Sequence, residues 1–264
     1  MRRSMKTGRS HGFTLIELVM VIVIVSVLAV GVTRFITATV GGYVDTAERQ
    51  QMATAGLIAA EKMSRAIRSA LPNSVRVASG CIEFIPVLAG TDYVSAPISS
   101  PAASIDAVGA RLDSAVIGRA AIYPIDQSEL YDPQSPGPNS LSDALAQLPT
   151  GADDVTVTLS ANHQFPTDSP ARRMYLVGTP VAYCQSGTAI YRYVNYGFNA
   201  TPDLPPSSGG VREMLINLVA AGTTDFNYTP ASLVRNAVVQ MSFRVSDGGE
   251  SFDIQQEVNI RNVP

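Results

Sequence analysis

The sequence predicts an α+β fold in which a long amino-terminal helix packs on an antiparallel β-sheet domain. Residues 13–32 form an apolar run of 20 residues, and no proline interrupts the chain from residue 13 to residue 71. From residue 155 onwards, short segments alternate apolar and polar side chains, which is typical of strands with one buried face. The helix is therefore expected first in the chain, and most of the strands follow it.

Charge is distributed unevenly along the 264 residues. The net charge is -3, but Arg2, Arg3, Lys6 and Arg9 all lie in the first eleven residues, which contain no acid. The remainder has 15 basic and 22 acidic residues, a net charge of -7. Nucleic acid is therefore an unlikely partner, since phosphate backbones are bound by basic surfaces.

The apolar run is long enough to cross a bilayer, because a helix rises about 1.5 Å per residue and the hydrocarbon core is roughly 30 Å thick. We predict a transmembrane helix over residues 13–35. Its basic leader is expected to keep the amino terminus in the cytoplasm and to place the rest of the chain outside. A cleaved secretory signal is the alternative, but such signals usually have an apolar core of about 7–15 residues and a small-residue cleavage site, and no such site follows Ala29.

The helical pattern continues over residues 36–71, where apolar or small residues recur at spacings of three and four and charged residues occupy the other faces. Pro72 is expected to end the helix, because a proline disfavours helical conformation in the residue before it. The predicted buried face comprises Met52, Gly56, Ala59, Met63, Ile67 and Ala70.

The segment Gly12-Phe13-Thr14-Leu15-Ile16-Glu17-Leu18 stands between the basic leader and the apolar helix. It resembles the prepilin signature of type IV pilins and of the pseudopilins of type II secretion. The resemblance implies that a prepilin peptidase cuts between Gly12 and Phe13, removes residues 1–12 as a leader, and leaves an amino group on Phe13 that is methylated. It also implies a pilin-like fold, an inner-membrane subunit, and a periplasmic domain over residues 72–264.

One acid, Glu17, lies inside the apolar run, where an isolated ionised carboxylate is costly. Such a charge is tolerable when it is paired. The resemblance implies a bundle of subunits in which Glu17 meets the charged amino terminus of Phe13 on a neighbouring chain, and this pair would set the axial register. The alternative is a carboxyl group that stays protonated or reaches water at the membrane surface.

Beyond Pro72 the chain is predicted to consist mainly of strands and loops. Residues 95–153 are rich in Ser, Ala, Pro, Gly and Asp, and within them we expect a strand at 119–125 and a short helix at 142–148. Residues 211–220 are predicted to be a helix or turn. The clearest hairpin joins 237–246 to 250–260 around Asp247-Gly248-Gly249. Further strands are expected at 74–77, 81–87, 154–159, 173–178, 180–184, 189–196 and 224–229.

The chain has two cysteines, Cys81 and Cys184. In a periplasmic domain they are expected to form a disulfide, since disulfides persist in oxidising compartments. A bridge closing a loop of about 100 residues is worth about 4–5 kcal/mol in the chain-entropy model. Two buried thiols are the alternative.

The sequence offers little support for catalysis, and we expect no enzyme activity, cofactor or metal. After the leader the chain has one histidine, His163, which is expected to be a solvated loop residue. Asp153-Asp154 and the pair Asp126 and Glu129 lack the ligand spacing of a known calcium loop and are expected to be solvated acids. Arg65 and Arg68, and likewise Arg172 and Arg173, are expected to be surface charges, with an acidic partner as the alternative.

The body resembles the O-type minor pilins of MSHA pilus biogenesis in the segments NSVRVASGCIEFIPV, AAIYPIDQSELYD, RMYLVGTPVAYCQSGTAIYRY and VNIRNVP. This resemblance implies an accessory subunit that initiates or caps a pilus. Its implied partners are the prepilin peptidase and methyltransferase, other major and minor pilins, the inner-membrane assembly platform and the lipid bilayer. A J-type pseudopilin of type II secretion is one alternative. A tip adhesin or DNA-uptake subunit is another, although the tyrosines of residues 191–198 are expected to face inward from a strand.

Overall fold

The structure is a computed structural model and describes residues 12–207, 209–232 and 235–260. The chain divides into two compact units, with the division between Gln51 and Met52. Its architecture is α+β, as the sequence predicts. In the described residues the helices are α1 (Leu15–Arg68) and α2 (Gln127–Leu130), and the strands are β1 (Arg76–Ala78), β2 (Cys81–Phe84), β3 (Val87–Ser95), β4 (Ala102–Ala107), β5 (Val116–Ile122), β6 (Leu141–Leu148), β7 (Val155–His163), β8 (Arg173–Val177), β9 (Val181–Ser186), β10 (Ala189–Val194), β11 (Val211–Ile216), β12 (Asp225–Thr229), β13 (Ala237–Asp247) and β14 (Glu250–Ile260).

Helix α1 has two different environments along its length. In the first unit, its side chains from Leu15 to Gln51 are exposed. In the second unit the predicted apolar face is buried, and Met63 and Ile67 are fully enclosed. This face forms one hydrophobic core with side chains from both β-sheets of the second unit.

The two sheets differ in size, and every pairing within them is antiparallel. One has five strands in the order β1-β2-β9-β10-β11, and the other has three in the order β12-β13-β14. The predicted carboxyl-terminal hairpin is confirmed, with Val239 opposite Val258 and Phe243 opposite Ile254. Gly248 and Gly249 form its turn with φ angles of 57° and 87°, the left-handed region that a tight hairpin turn of this kind requires.

A closed barrel is inserted between strands β2 and β9 of the larger sheet. Its six strands follow the order β3-β4-β7-β6-β5-β8, and β8 pairs with β3 to close it. Side chains such as Ile105, Leu148 and Leu176 fill the interior as a second hydrophobic core. The segment predicted as mostly loop, residues 95–153, therefore supplies much of a packed barrel.

Two predicted helices are strands in the structure. The predicted helix at 142–148 belongs to β6, in which Leu141, Ala144, Ala146 and Leu148 are buried and alternate with exposed residues. Its Ala, Leu and Gln residues have high helix propensity, but burial of every second side chain in the barrel overrides that preference. The predicted helix or turn at 211–220 contains β11, which pairs with β10.

The end of helix α1 also differs from the prediction. The helix ends at Arg68, three residues before the expected position beside Pro72. The following residues turn toward the strand region, because Ala70 bridges Pro86 and the amide of Leu71 donates to the carbonyl of Ile85 at 2.8 Å. Backbone pairing with residues 85 and 86, between β2 and β3, therefore ends the helix before proline can.

His163 is buried at the end of β7, so its prediction as a solvated loop residue is wrong. Its ring packs edge-on against Phe165, with ring centroids 4.6 Å apart, and Nε2 lies 2.9 Å from the carbonyl oxygen of Asn139. Burial lowers the pKa of His163, although the Asn139 carbonyl and the Asp143 carboxylate act in the opposite direction. Burial of the ring therefore favours its neutral form.

Stability should fall as pH drops below about 6.5, the ordinary pKa of histidine. The unfolded state binds the proton on residue 163 more readily than the folded state, because the folded pKa is lowered. We expect His163→Gln, which keeps a hydrogen-bond donor but does not titrate, to show a smaller loss between pH 7.5 and pH 5.5. Urea unfolding of both proteins at the two pH values, followed by tyrosine circular dichroism, measures this difference. Equal losses in the two proteins would contradict it.

Candidate processing and assembly site

The predicted cleavage bond lies just before the first turn of helix α1. Gly12, Phe13 and Thr14 precede the helix, and Phe13 is 75% exposed. Apart from Gly12 itself and its neighbours in the chain, no described heavy atom lies within 4 Å of the position that a Cβ on Gly12 would take. The backbone on both sides of the Gly12–Phe13 bond is therefore open to another molecule.

Thr14 is the amino-terminal cap of helix α1. Its hydroxyl oxygen accepts a hydrogen bond from the amide of Glu17 at 3.3 Å, and its carbonyl accepts from the amide of Leu18 at 3.2 Å. The spacing Thr-x-x-Glu matches a capping box, and an acid in the first turn is favoured by the helix dipole. Sequence reasoning missed the capping by Thr14, although the Thr-x-x-Glu spacing was visible in the sequence.

Hydroxyl groups along the exposed part of α1 are satisfied within the helix. Ser26 donates to the carbonyl of Ile22 at 2.7 Å, and Thr33 donates to the carbonyl of Ala29 at 2.8 Å. Thr37, Thr39 and Thr46 donate to carbonyls four residues earlier in the same way. Such back-bonding is what a helix in hydrocarbon requires of its hydroxyls.

Glu17 is the one charged residue of the apolar run over residues 13–32. Among the described residues, no side chain pairs with its carboxylate. The helix contains an 18-residue window with a mean hydropathy of 3.0, and none of that window is buried. The helix is therefore long and apolar enough to cross a membrane, and the acid within its apolar run, Glu17, has no partner among the described residues.

Cys81 and Cys184 form a disulfide in the structure. They lie directly opposite each other on β2 and β9, with Cα atoms 4.4 Å apart. Their sequence separation is 103, and the segment between them includes the whole barrel. The bridge therefore links the strand that leads into the barrel to the strand that leaves it.

A buried ion pair lies on the same sheet. The guanidinium of Arg76 on β1 donates to the carboxylate of Glu83 on β2, and both side chains are almost fully buried. Arg76 also donates to the carbonyl oxygens of Asn199 and Ala200, at 2.7 and 3.1 Å. These bonds satisfy the charge and hold the loop after β10 on the sheet.

Two tyrosines complete this network. The phenol of Tyr196 donates to the second carboxylate oxygen of Glu83 at 2.7 Å, and the Arg76 guanidinium carbon lies 3.5 Å from the ring centroid of Tyr131. The Tyr131 hydroxyl donates to the carbonyl of Ser74 at 2.7 Å. Burial, followed by the nearby Glu83 charge, raises the pKa of Tyr196, so its phenol stays protonated as a donor.

The remaining charged candidates have local structural roles or lie exposed. Asp126 caps helix α2, and the hydroxyl and amide of Ser128 lower its pKa by donating to the carboxylate. Glu129 accepts from the amide of Ser140 at 3.2 Å, while Asp153 and Asp154 are exposed. Among the described residues, no group of three or more potential ligands from His, Cys, Asp and Glu could hold a metal ion.

The four arginines that the sequence singled out have different surroundings. Arg65 pairs with Glu61 at 2.8 Å, an exposed contact within one helix. Arg172 donates to the carbonyl of Val94 at 3.2 Å. Arg68 and Arg173 line one groove, which the sequence did not predict.

The tyrosines of β10 were expected to face inward. In the structure they do not face the main core. Tyr191 and Tyr193 lie half-exposed on the sheet face that carries the disulfide. Tyr191 lies opposite Met214 and Tyr193 opposite Arg212, whose guanidinium carbon is 4.3 Å from the Tyr191 ring centroid. The strand was predicted, but the face that its tyrosines occupy depends on which side packs against the helix.

Residues 7–33 match the family model described as the prokaryotic N-terminal methylation motif. The match supports the type IV pilin or pseudopilin signature that the sequence predicts around Gly12, Phe13 and Glu17. No curated protein and no solved structure matches the chain significantly. The motif implies processing by a prepilin peptidase and assembly with other pilins, and a membrane-anchored subunit fits the apolar helix.

The buried pair should contribute far more to stability than an exposed one. Glu83→Ala leaves the Arg76 guanidinium buried without its carboxylate, and we expect the free energy of unfolding to fall by about 3–5 kcal/mol. Glu213→Ala removes the partner of the partly exposed Arg192, and we expect a loss below about 1 kcal/mol. Urea unfolding of both variants in detergent measures the two losses. Similar losses would show that burial of the pair carries no special weight.

Proposed function

We propose that this chain is a minor pilin, an accessory structural subunit that helps to initiate or cap assembly of a type IV pilus of the MSHA type. The observation that carries this proposal is the uncompensated Glu17 carboxylate in an exposed apolar helix, directly after a matched methylation motif. Cleavage between Gly12 and Phe13 removes the basic leader but keeps the helix. The subunit then stays in the inner membrane, amino end inside and body in the periplasm.

Cleavage creates a positive group that can pair with the Glu17 carboxylate. The new amino group of Phe13 is positive, and methylation preserves that charge. Paired with Glu17 of an adjacent subunit, it removes an isolated ion from hydrocarbon and selects one axial offset between helices. Since Glu17 also sits at the third helical position after the Thr14 cap, local capping and intersubunit pairing must be separated by experiment.

The size of the body favours an accessory subunit over the bulk filament protein. The closed barrel between β2 and β9 is an addition to the helix and sheets. A bulk subunit must accommodate the same body at every step of a helical filament, whereas a subunit at one end meets fewer copies of itself. Its partners would be the prepilin peptidase and methyltransferase, other major and minor pilins, and the inner-membrane assembly platform.

A J-type minor pseudopilin of type II secretion would use the same anchor and the same charge pair. The two roles differ in where the subunit goes. Recovery of the chain in sheared pili supports the pilus role. Loss of secreted proteins in a deletion strain that still makes pili would support the pseudopilus role.

A tip adhesin is the third candidate, and one observation favours it. The half-exposed Tyr191 and Tyr193, with Arg212 and Met214 opposite them, form an aromatic and cationic face of the kind found in binding surfaces. Replacing both tyrosines with alanine would then reduce adhesion without reducing the number of pili. If the chain is instead an accessory assembly subunit, changes in it should reduce the number of pili rather than adhesion per pilus.

Three variants separate the charge of Glu17 from its capping role. Glu17→Gln keeps a capping box, because Gln serves at that position, but it removes the charge. Thr14→Ala removes the cap and keeps the charge. We expect both Glu17→Gln and Glu17→Ala to lower incorporation into filaments by about tenfold or more, and Thr14→Ala to retain most incorporation. Immunoblots of sheared filaments and of membranes measure the ratio of filament-bound to membrane-bound subunit. Normal incorporation of Glu17→Gln would rule out the register role.

The position of the cut can be tested with matched glycine variants. Gly12→Ala is expected to keep residues 1–12 on the membrane-bound chain and to leave Phe13 unmethylated. Gly31→Ala, at another glycine whose Cβ would meet no described atom, should be processed normally. Mass spectrometry of the amino-terminal peptides measures both. A mature chain that begins beyond residue 32 in either protein would contradict the proposal.

A further inference from the structure

A groove of about 710 Å³ lies in the second unit, where the end of helix α1 meets the barrel. Its walls come from residues 68–72, from β3 and β8, and from the segment 108–110 after β4. Gly90 lines one wall of the groove. A Cβ at this position would stand 3.3 Å from the ring of Tyr175, so glycine leaves room for that ring. The groove is thus built jointly by the helix end and by the inserted barrel.

Two arginines, Arg68 and Arg173, and one acid, Asp92, line this groove. Neither Arg68 nor Arg173 makes an ion pair with any described residue, even though Asp92 lies directly across from Arg173 on the neighbouring strand. Five other arginines each pair with an acid: Arg65, Arg76, Arg119, Arg192 and Arg244. The lining therefore holds two positive side chains, Arg68 and Arg173, and one negative side chain, Asp92, and it keeps an excess of positive charge.

The rest of the lining is largely aliphatic. Ala70, Pro72, Val87, Val108 and Met174 contribute, and Tyr175 is the one aromatic side chain in the set. Sugars are usually held by stacking on aromatic faces, whereas aliphatic walls suit the side chains of a polypeptide. Arginine is also the residue best shaped to bind a carboxylate through two parallel hydrogen bonds.

We propose that this groove binds an extended acidic segment of a partner polypeptide. An Asp or Glu of the segment pairs with Arg68 or Arg173, and an adjacent apolar side chain packs on the aliphatic lining. The inference goes beyond the proposed function and does not rest on it, since a pilus and a secretion pseudopilus would both offer polypeptide partners. An acidic polysaccharide is the competing occupant, and the experiment below separates the two.

The test is site-specific photo-crosslinking of the full-length chain in cells that produce it naturally. A benzophenone amino acid replaces Val108, which lines the groove and is 42% exposed, or Leu145, a control on β6 that is 49% exposed and lies outside the lining. We expect Val108 to yield a polypeptide adduct whose mass spectrum maps to a segment containing Asp or Glu. Leu145 should not capture that segment.

The charge dependence of the adduct decides the proposal. Arg68→Gln combined with Arg173→Gln should reduce the Val108 adduct by about tenfold or more, as expected when a hydrogen bond between ionised groups is lost. Arg212→Gln, an exposed arginine on β11, should leave the yield unchanged. Retention of the Cys81–Cys184 disulfide and of tyrosine circular dichroism shows that the double variant is folded.

A second measurement uses the captured segment itself. A fluorescent peptide of that sequence should bind the detergent-solubilised full-length protein, and its version with Asn or Gln in place of the acids should bind about tenfold more weakly. A glycan adduct, a captured segment without acids, an adduct insensitive to the two arginines, or no adduct at Val108 would each overturn the proposal.

Discussion

The second unit depends on the antiparallel pairing of β2 with β9, two strands that lie about a hundred residues apart in sequence. Their register places Cys81 directly opposite Cys184 and Glu83 opposite Ala182. The same pairing brings together the two ends of the barrel segment, so the barrel can close without interrupting the sheet. In the chain-entropy picture, a disulfide that closes a loop of about 100 residues lowers the entropy of the unfolded chain more than one that closes a short loop.

Two glutamates show how one chain handles a carboxylate away from water in opposite ways. Glu83 is almost fully buried and is satisfied by Arg76 and by the phenol of Tyr196, both from its own chain. Glu17 lies in an apolar helix, and no described residue compensates its charge. An ion pair within one chain satisfies its own charges, whereas an unpaired carboxylate in an apolar setting can be stabilised by a positive group from another molecule. This contrast is why the proposed assembly role rests on Glu17 and the stability prediction on Glu83.

Local signals in the sequence were sufficient for the helix and the final hairpin. The apolar run, the spacing of Met52, Gly56, Ala59, Met63 and Ile67, and the Gly248-Gly249 turn each act over a few residues, and the structure agrees with them. The errors occurred where distant contacts overrode local preference. Strand β6 has the composition of a helix, His163 has the neighbours of a loop residue, and the helix ends early because residues 70 and 71 bond to residues 85 and 86.

The sequence by itself determined the apolar anchor, the methylation motif with its internal acid, the α+β class, and the identity of the cysteines. These properties follow from composition and short-range periodicity, which any conformation of the chain shares. Only the tertiary structure decided that a closed barrel interrupts the larger sheet, that Arg76, Glu83, Tyr131 and Tyr196 meet, and that Arg68 and Arg173 line one groove. Those arrangements join residues that are far apart in sequence, and no local pattern records which distant strand a segment will pair with.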